Sequence, residues 1–383
     1  MRVISLRNKL RQFRREAGLS QQELAGMASI SRQAYVSVES GKSVPSTEVA
    51  LRLARALKTQ VDGLFSLAGE QPENTWAELI GDPTADEQAA APSKSQRVRL
   101  WRVGGRLVAR RVIGQAASRR SLVDAEGVML PSNLADPVGG NQVAVLPFDD
   151  EELASPALSL LGCDPAMALL EPGLARHGVR LVSSEENSHR ALTGLALGEA
   201  HVAGCHLRDD VTGEYNISWV RRLIPFPCVL VTFASWQQGL IVMPGNPKSI
   251  LGVHDLARPG IRLVNRESGS GSRSLLDRLL SSQGVPTAAL NGYDREAPGH
   301  LAVAGAVSAG LADAGVGVQA AASALGLDFA PLEEERYDLV IPNHLINEPG
   351  VQALLNLLRN PGLQRRVEAL GGYDVSNMGQ PAA

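Results

Sequence analysis

The sequence predicts an α + α/β protein, a small all-helical head followed by a two-lobed α/β body. Three observations predict it. The first 65 residues are basic and divide into short capped helices, short apolar strands alternate with amphipathic helices from about residue 157, and that alternation runs through two rounds. A length of 383 residues also exceeds one ordinary core and calls for two or three folded units.

Composition narrows the class before any motif is read. A hydrophobic fraction of 44% with 20% charged residues fits a globular chain, and no apolar run approaches the roughly 20 residues of a membrane span. The start, "MRVISLRNKLRQFRREAGLS", carries positive charge but no apolar h-region or small-residue cleavage site, so we expect a cytoplasmic protein with no membrane partner. Its 3 cysteines, Cys163, Cys205 and Cys228, lack zinc-ligand spacing and read as reduced core thiols, with no metal site and no cofactor expected. Residues 1 to 65 hold eleven Lys and Arg against five Asp and Glu, a net of +6; with -3 for the whole chain, -9 is left for the remainder. A basic head on an acidic body points to a polyanion partner for the head.

Within the head, Leu6, Leu10 and Phe13 share a helical face that stops at Gly18. Ser20 followed by Glu23 gives a capping box that opens a second helix. After "ASIS", Ser31 caps a third helix with Tyr35 and Val38 inward and Gly41 at its end, and Leu51, Leu53, Ala54 and Leu57 form the buried stripe of a fourth. Two capped helices across a tight turn make a helix-turn-helix unit. The stretch "LSQQELAGMASISRQAYVSVESGKSVPSTEVALRLARALKTQVDGLF" looks like the DNA-binding domain of XRE-type, phage-repressor-like regulators over nearly its whole length. That resemblance implies a phosphate contact for Gln21, base-edge contacts for Arg32, Gln33 and Ser37, and a phosphate contact for Lys42. The chemistry agrees, since Arg pairs with guanine and Gln with adenine in the major groove.

Domain boundaries follow composition. Residues 1–66 are the head, and 67–95, rich in Ala, Pro, Glu and Asp, read as an exposed linker. Residues 96–150 form a small β-rich connecting segment, in which "RVRLWRVGGRLVARRV" is a hairpin turning at Gly104-Gly105. Its arginines read as a solvated outer face, with a second DNA contact as the rival. The two-lobed domain occupies 151–383, lobe 1 at about 151–235 plus 325–383 and lobe 2 at about 240–322.

Ligands of such paired lobes sit beyond the carboxyl ends of the strands, in the cleft between them. There "NRESGSGSR" joins a strand ending at Asn265 to a helix beginning near Ser272. A helix start of this kind offers N–H groups and a dipole to an anion, here through Ser268, Gly269, Ser270, Gly271 and Ser272, with Arg266 and Arg273 adding charge. The turn lacks the Lys of a P-loop, and Ser274 stands where a dinucleotide fingerprint needs its last glycine. Lobe 1 supplies counterparts in "GCDPA", with Cys163 and Asp164, and in "SSEENSH", with Ser183, Ser184 and Asn187. Asp164 reads equally as a plain helix cap, and His206 as a ligand donor or a core residue.

Residues 157 to 376 resemble the type 2 periplasmic-binding-protein fold, and more narrowly the molybdate-associated domains found fused to helix-turn-helix units. The stretches that carry the likeness are "GCDPA", "GEAHVAGCHLRDDVTGEYN", "VMPGNPKSI", "DLARPGIRLVNRESGSGSRSLLD", "LADAGVG" and "EERYDLVIP". The resemblance implies two interlobe crossings, near 233–242 and 326–340, and a small oxyanion, molybdate or tungstate, as effector. The molybdenum cofactor, sulfate, phosphate and other organic anions stay open as effectors, and a transferase of the same clamp architecture as the rival class. No paired carboxylates, metal cluster or nucleophile–base pair are recognisable in the cleft from the sequence, so a non-enzyme is expected. The whole then reads as a one-component regulator that binds double-stranded DNA as a homodimer.

Overall fold

The computed structural model describes residues 6–67, 75–80, 96–112, 125–130, 142–209 and 211–382. The head is formed by helices α1 (Leu10–Glu16), α2 (Gln21–Met27), α3 (Arg32–Glu39), α4 (Thr47–Ala56) and α5 (Val61–Leu64). Ser20 and Glu23 complete the capping box of α2, and the side chains of Ser31 and Ser46 accept from the backbone at the starts of α3 and α4. Leu10, Leu24, Tyr35 and Leu53 are fully buried in one cluster. Two details depart from the sequence reading. Leu6 lies not in a helix but in strand β1 (Leu6–Asn8), which pairs antiparallel with β2 (Phe65–Leu67) and ties the two ends of the head together. The inward stripe of α4 is Ala50, Leu53 and Ala54, while Leu51 is 56% exposed, because one residue's rotation of about 100° carries it off that face.

A closed barrel follows, built from β3 (Thr75–Ile80), β4 (Gln96–Val103), β5 (Arg106–Arg111), β6 (Gly127–Met129) and β7 (Gln142–Pro147). The expected linker 67–95 therefore contains a barrel strand, and 68–74 and 81–95 lie outside the described residues. Ala77 of β3 is fully buried with Val98, Leu100 and Ala109, so "TWAELI" pairs where its Pro- and Asp-rich flanks suggested loop. Gly104 and Gly105 both adopt positive φ in the two-residue turn between β4 and β5. The hairpin arginines are not simply solvated. Arg110 pairs with Glu186 at 2.8 Å, Arg99 and Arg180 share Glu126 at 2.8 and 2.7 Å, and Trp101 donates to the carbonyl of Glu199 at 3.0 Å, so this face docks the barrel on the body.

The body is one mixed sheet. On one side β8 (Ala157–Leu161), β9 (Arg180–Ser184) and β10 (Val202–Cys205) run parallel; on the other β12 (Leu263–Arg266), β13 (Glu296–Ala297) and β14 (Ala314–Val318) do the same. Between them β11 (Cys228–Val242) and β15 (Asp328–Pro342) pair antiparallel along their length, with irregularities near Thr232/Ala234 and Gln238/Gly239. β10 joins the far end of β15, and β14 joins the far end of β11. Those two long strands are thus the crossings that link the lobes. One apolar cluster runs from Leu158 and Leu170 through Phe233 and Trp236 to Val303 and Val307, which holds the lobes shut on each other. No helix among the described residues is long and apolar enough to cross a membrane.

Candidate functional site

Four helix starts face the seam between the lobes. In lobe 1, Asp164 caps the 3-10 turn Pro165–Leu170 and Asn187 caps the helix Ser188–Ala196. In lobe 2, Ser270 caps the helix Gly271–Ser282 and Gly299 precedes the helix His300–Ser308. Each follows a strand of the parallel sets, which is where this class of sheet gathers ligands.

The centre of the seam is buried and carries polar groups. His206 lies just past β10, with Nδ1 2.8 Å from Glu335 Oε2 and Nε2 3.6 Å from the thiol of Cys163. Trp236 Nε1 donates to the same Glu335 oxygen at 3.4 Å, and Trp236 and Glu335 are register partners on β11 and β15. Burial opposes charge on His206, but the contacts with Cys163 and Glu335 together outweigh it and lift its pKa to about 9. His300 reaches in from lobe 2, its ring 6.0 Å from that of His206, and burial pushes its pKa well below the ordinary value. Asp164 is pushed up to about 6 by burial, although it accepts from Tyr373 at 2.5 Å.

The opening turn sits against this centre. Gly271 lies so close to lobe 1 that a Cβ there would stand 2.5 Å from the imidazole and the carbonyl oxygen of His206, so only glycine permits the closed seam. Ser272 Oγ donates to Gln238 Oε1 at 3.1 Å, and Ser268 and Gly269 offer carbonyls to Asn187 Nδ2 and His189 N, both at 3.4 Å. Arg266 is fully buried and donates twice to Glu267 at 2.8 Å.

Of the residues expected at the ligand, the structure brings Cys163, Asp164, His206, Arg266, Ser270, Gly271 and Ser272 into the buried seam, with Asn187, Ser268 and Gly269 at its rim. Arg273 is a correction. Its guanidinium faces Asp277 and Glu296, both at 3.3 Å, and lies over the ring of Tyr293, so it braces the turn from outside and offers no charge to the seam. Ser184 is likewise drawn away, bonded to Arg110 at the barrel contact, and Ser183 lies beside it on β9. Sequence reasoning missed His300, Gln238, Trp236 and Glu335. In the head, Arg32, Gln33 and Lys42 are exposed and Ser37 partly so, while Gln21 donates to Glu39 at 2.6 Å.

A capped helical pair on a two-lobed clamp with two crossing strands defines a helix-turn-helix protein with a type 2 periplasmic-binding-protein-like body. Residues 10–64 match the helix-turn-helix family and residues 173–359 match the PBP superfamily domain. The uncharacterized protein YvgK of Bacillus subtilis is 33% identical over 252 residues, covering 64% of this chain and 80% of YvgK. An uncharacterized HTH-type transcriptional regulator of Archaeoglobus fulgidus is 33% identical over 66 residues, 17% of this chain and 94% of that protein. The chain belongs to the same family as YvgK, has a PBP superfamily domain match over residues 173–359, and carries an XRE-type helix-turn-helix domain at residues 10–64. Among solved structures, the sulfate-binding protein SubI of Mycobacterium tuberculosis aligns with TM-score 0.45 and 14% identity over 57% of this chain and 86% of its own, too remotely to bear on what this seam holds.

Proposed function

We propose that the protein is a one-component transcriptional regulator whose head reads operator DNA and whose seam takes a small oxyanion, molybdate or tungstate first. The observation that carries the anion is a pair of donors. Arg266 Nη1 and Gln238 Nε2 are buried with no hydrogen-bond partner among the described residues; Gln238 is tied through Ser272 to the start of the helix Gly271–Ser282, and Arg266 closes the strand that leads into that turn. Each buried donor left unpaired costs roughly 1 to 3 kcal/mol, more for a charged group, and an anion accepting from both would recover that. The helix start adds N–H groups without intrahelical partners. We read the chain as a cytoplasmic homodimer and a sensor, not an enzyme, because binding at this seam needs no more than these donors.

The test is thermal unfolding of the full chain with molybdate, tungstate, sulfate or phosphate. Stabilisation of about 2.7 kcal/mol at a hundredfold excess over Kd is expected for the cognate anion. No shift with any of the four would remove the oxyanion and favour an organic anion.

For the head, Arg32→Ala or Gln33→Ala should each cost about 1 to 3 kcal/mol at particular base pairs, because the lost contact is bidentate. Gel-shift titrations against single-base operator variants check this. If both variants keep full sequence discrimination, α3 is not the reading helix.

A further inference from the structure

We infer that Cys163, His206 and His300 form a binding site for a late first-row transition-metal cation, zinc(II) in the first instance, which bridges the two lobes. The ligand atoms of these three buried residues all lie within 4.8 Å of one another. With Zn–S near 2.3 Å and Zn–N near 2.0 to 2.1 Å, a tetrahedral site separates sulfur and nitrogen by about 3.6 Å. The distance from Cys163 Sγ to His206 Nε2 is 3.6 Å.

Two independent observations point to a ligand there. His300 is fully buried, and neither ring nitrogen has a partner among the described residues. An imidazole bringing a lone pair and an N–H into a buried seam without partners is costly unless something binds it. The second is the posture of His206. Its Nδ1 is held at 2.8 Å by Glu335, itself fixed by Trp236, which turns Nε2 toward Cys163. A carboxylate on the far nitrogen is the support that metal-bound histidines use to set tautomer and direction.

Three protein ligands leave one tetrahedral position open. Since Cys163 and His206 belong to lobe 1 and His300 to lobe 2, the cation would bind only the shut form and stabilise closure.

The inference does not rest on the oxyanion reading. The test is a titration of the reduced full-length protein with cobalt(II) alone, then zinc(II), in oxyanion-free buffer. One cobalt per chain is expected, with a thiolate-to-cobalt charge-transfer band and tetrahedral visible bands that zinc bleaches. Cys163→Ser should lose the charge-transfer band and His300→Gln should lose the tetrahedral spectrum. Glu335→Gln should retain both but weaken affinity about 10- to 100-fold. Circular dichroism of each variant confirms folding, and the near-isosteric Cys163→Ser decides if His300→Gln does not fold. No bands with the wild type, or bands that survive Cys163→Ser unchanged, would overturn the site. A molybdate-induced stability shift in the metal-free protein, measured in parallel, reports the oxyanion reading separately.

Discussion

Replacing Gly271 with valine should hold the lobes apart and abolish the response to ligand. A Cβ at this position meets the ring and the carbonyl oxygen of His206 at 2.5 Å, and the backbone carbonyl cannot rotate out of the way as a side chain could. Valine adds two further methyl groups, so the start of the helix Gly271–Ser282 must withdraw from lobe 1. Overpacking of a filled site costs about 1 to 3 kcal/mol, and its relief is opening at the seam, against the apolar cluster that spans both lobes. Each lobe keeps its own apolar cluster, around Leu263 and Leu276 in one and around Leu192 and Val220 in the other, so the body should still fold. Small-angle scattering should show a larger radius of gyration that no anion reduces, and the oxyanion-induced shift of about 2.7 kcal/mol should vanish. Operator binding by the head should persist. Gly305→Ala is the control, because a Cβ there meets nothing within 4 Å. A Gly271→Val protein as compact as wild type, with its stability shift intact, would show that the turn does not control closure.

The head was legible because its signals are local. Ser20 with Glu23 and Ser31 each act on a backbone group within three residues, so these caps can be read without knowing the fold. The barrel strand at 75–80 was hidden because its partners, β5 and β7, are far along the chain and its own flanks are loop-like. The seam was legible only in part. "NRESGSGSR" and "GCDPA" announce strand-to-helix turns, but Glu335 meets His206 across 129 residues of sequence. Its facing of Trp236 depends on the register of two long strands that periodicity alone cannot align. His300 reads in sequence as the first residue of an apolar helix, and only the closed lobes bring it beside Cys163. Arg273 shows the converse error. Its position in the turn suggested the ligand, whereas Asp277, one helical turn on, and Tyr293 compete for the guanidinium and win.

Glu39→Ala should unfold the head while leaving the body intact. The carboxylate of Glu39 joins three helices: Oε1 accepts from Arg14 Nε of α1 and from the Tyr35 hydroxyl of α3, both at 2.8 Å, and Oε2 accepts from Gln21 of α2 at 2.6 Å. Its side chain is only 8% exposed and that of Arg14 12%, so water cannot easily replace the lost acceptor. Removing one partner of a largely buried ion pair costs about 3 kcal/mol or more, because the other charge is left without compensation. A helical unit of this size seldom holds more than about 3 to 5 kcal/mol, so the loss takes most of its stability. The exposed pair of Glu48 and Arg52 is the comparison, and Glu48→Ala should change little. The pH dependence has the same origin. Burial opposes the charge of Glu39, but Arg14, Gln21 and Tyr35 outweigh it and hold its pKa below the ordinary 4.5. A lowered folded-state pKa means stability fully present above that value and lost as pH falls through the folded one. Wild-type head stability should therefore decline under acid more steeply than that of Glu39→Gln, which keeps one acceptor but does not titrate. Far-UV circular dichroism of the full chain should show the early, head transition displaced or absent in Glu39→Ala, with the body transition unmoved and operator binding gone. A head transition within about 1 kcal/mol of wild type would mean that Arg14, Gln21 and Tyr35 find water instead, and that packing around Leu24 and Leu53 alone keeps the three helices together.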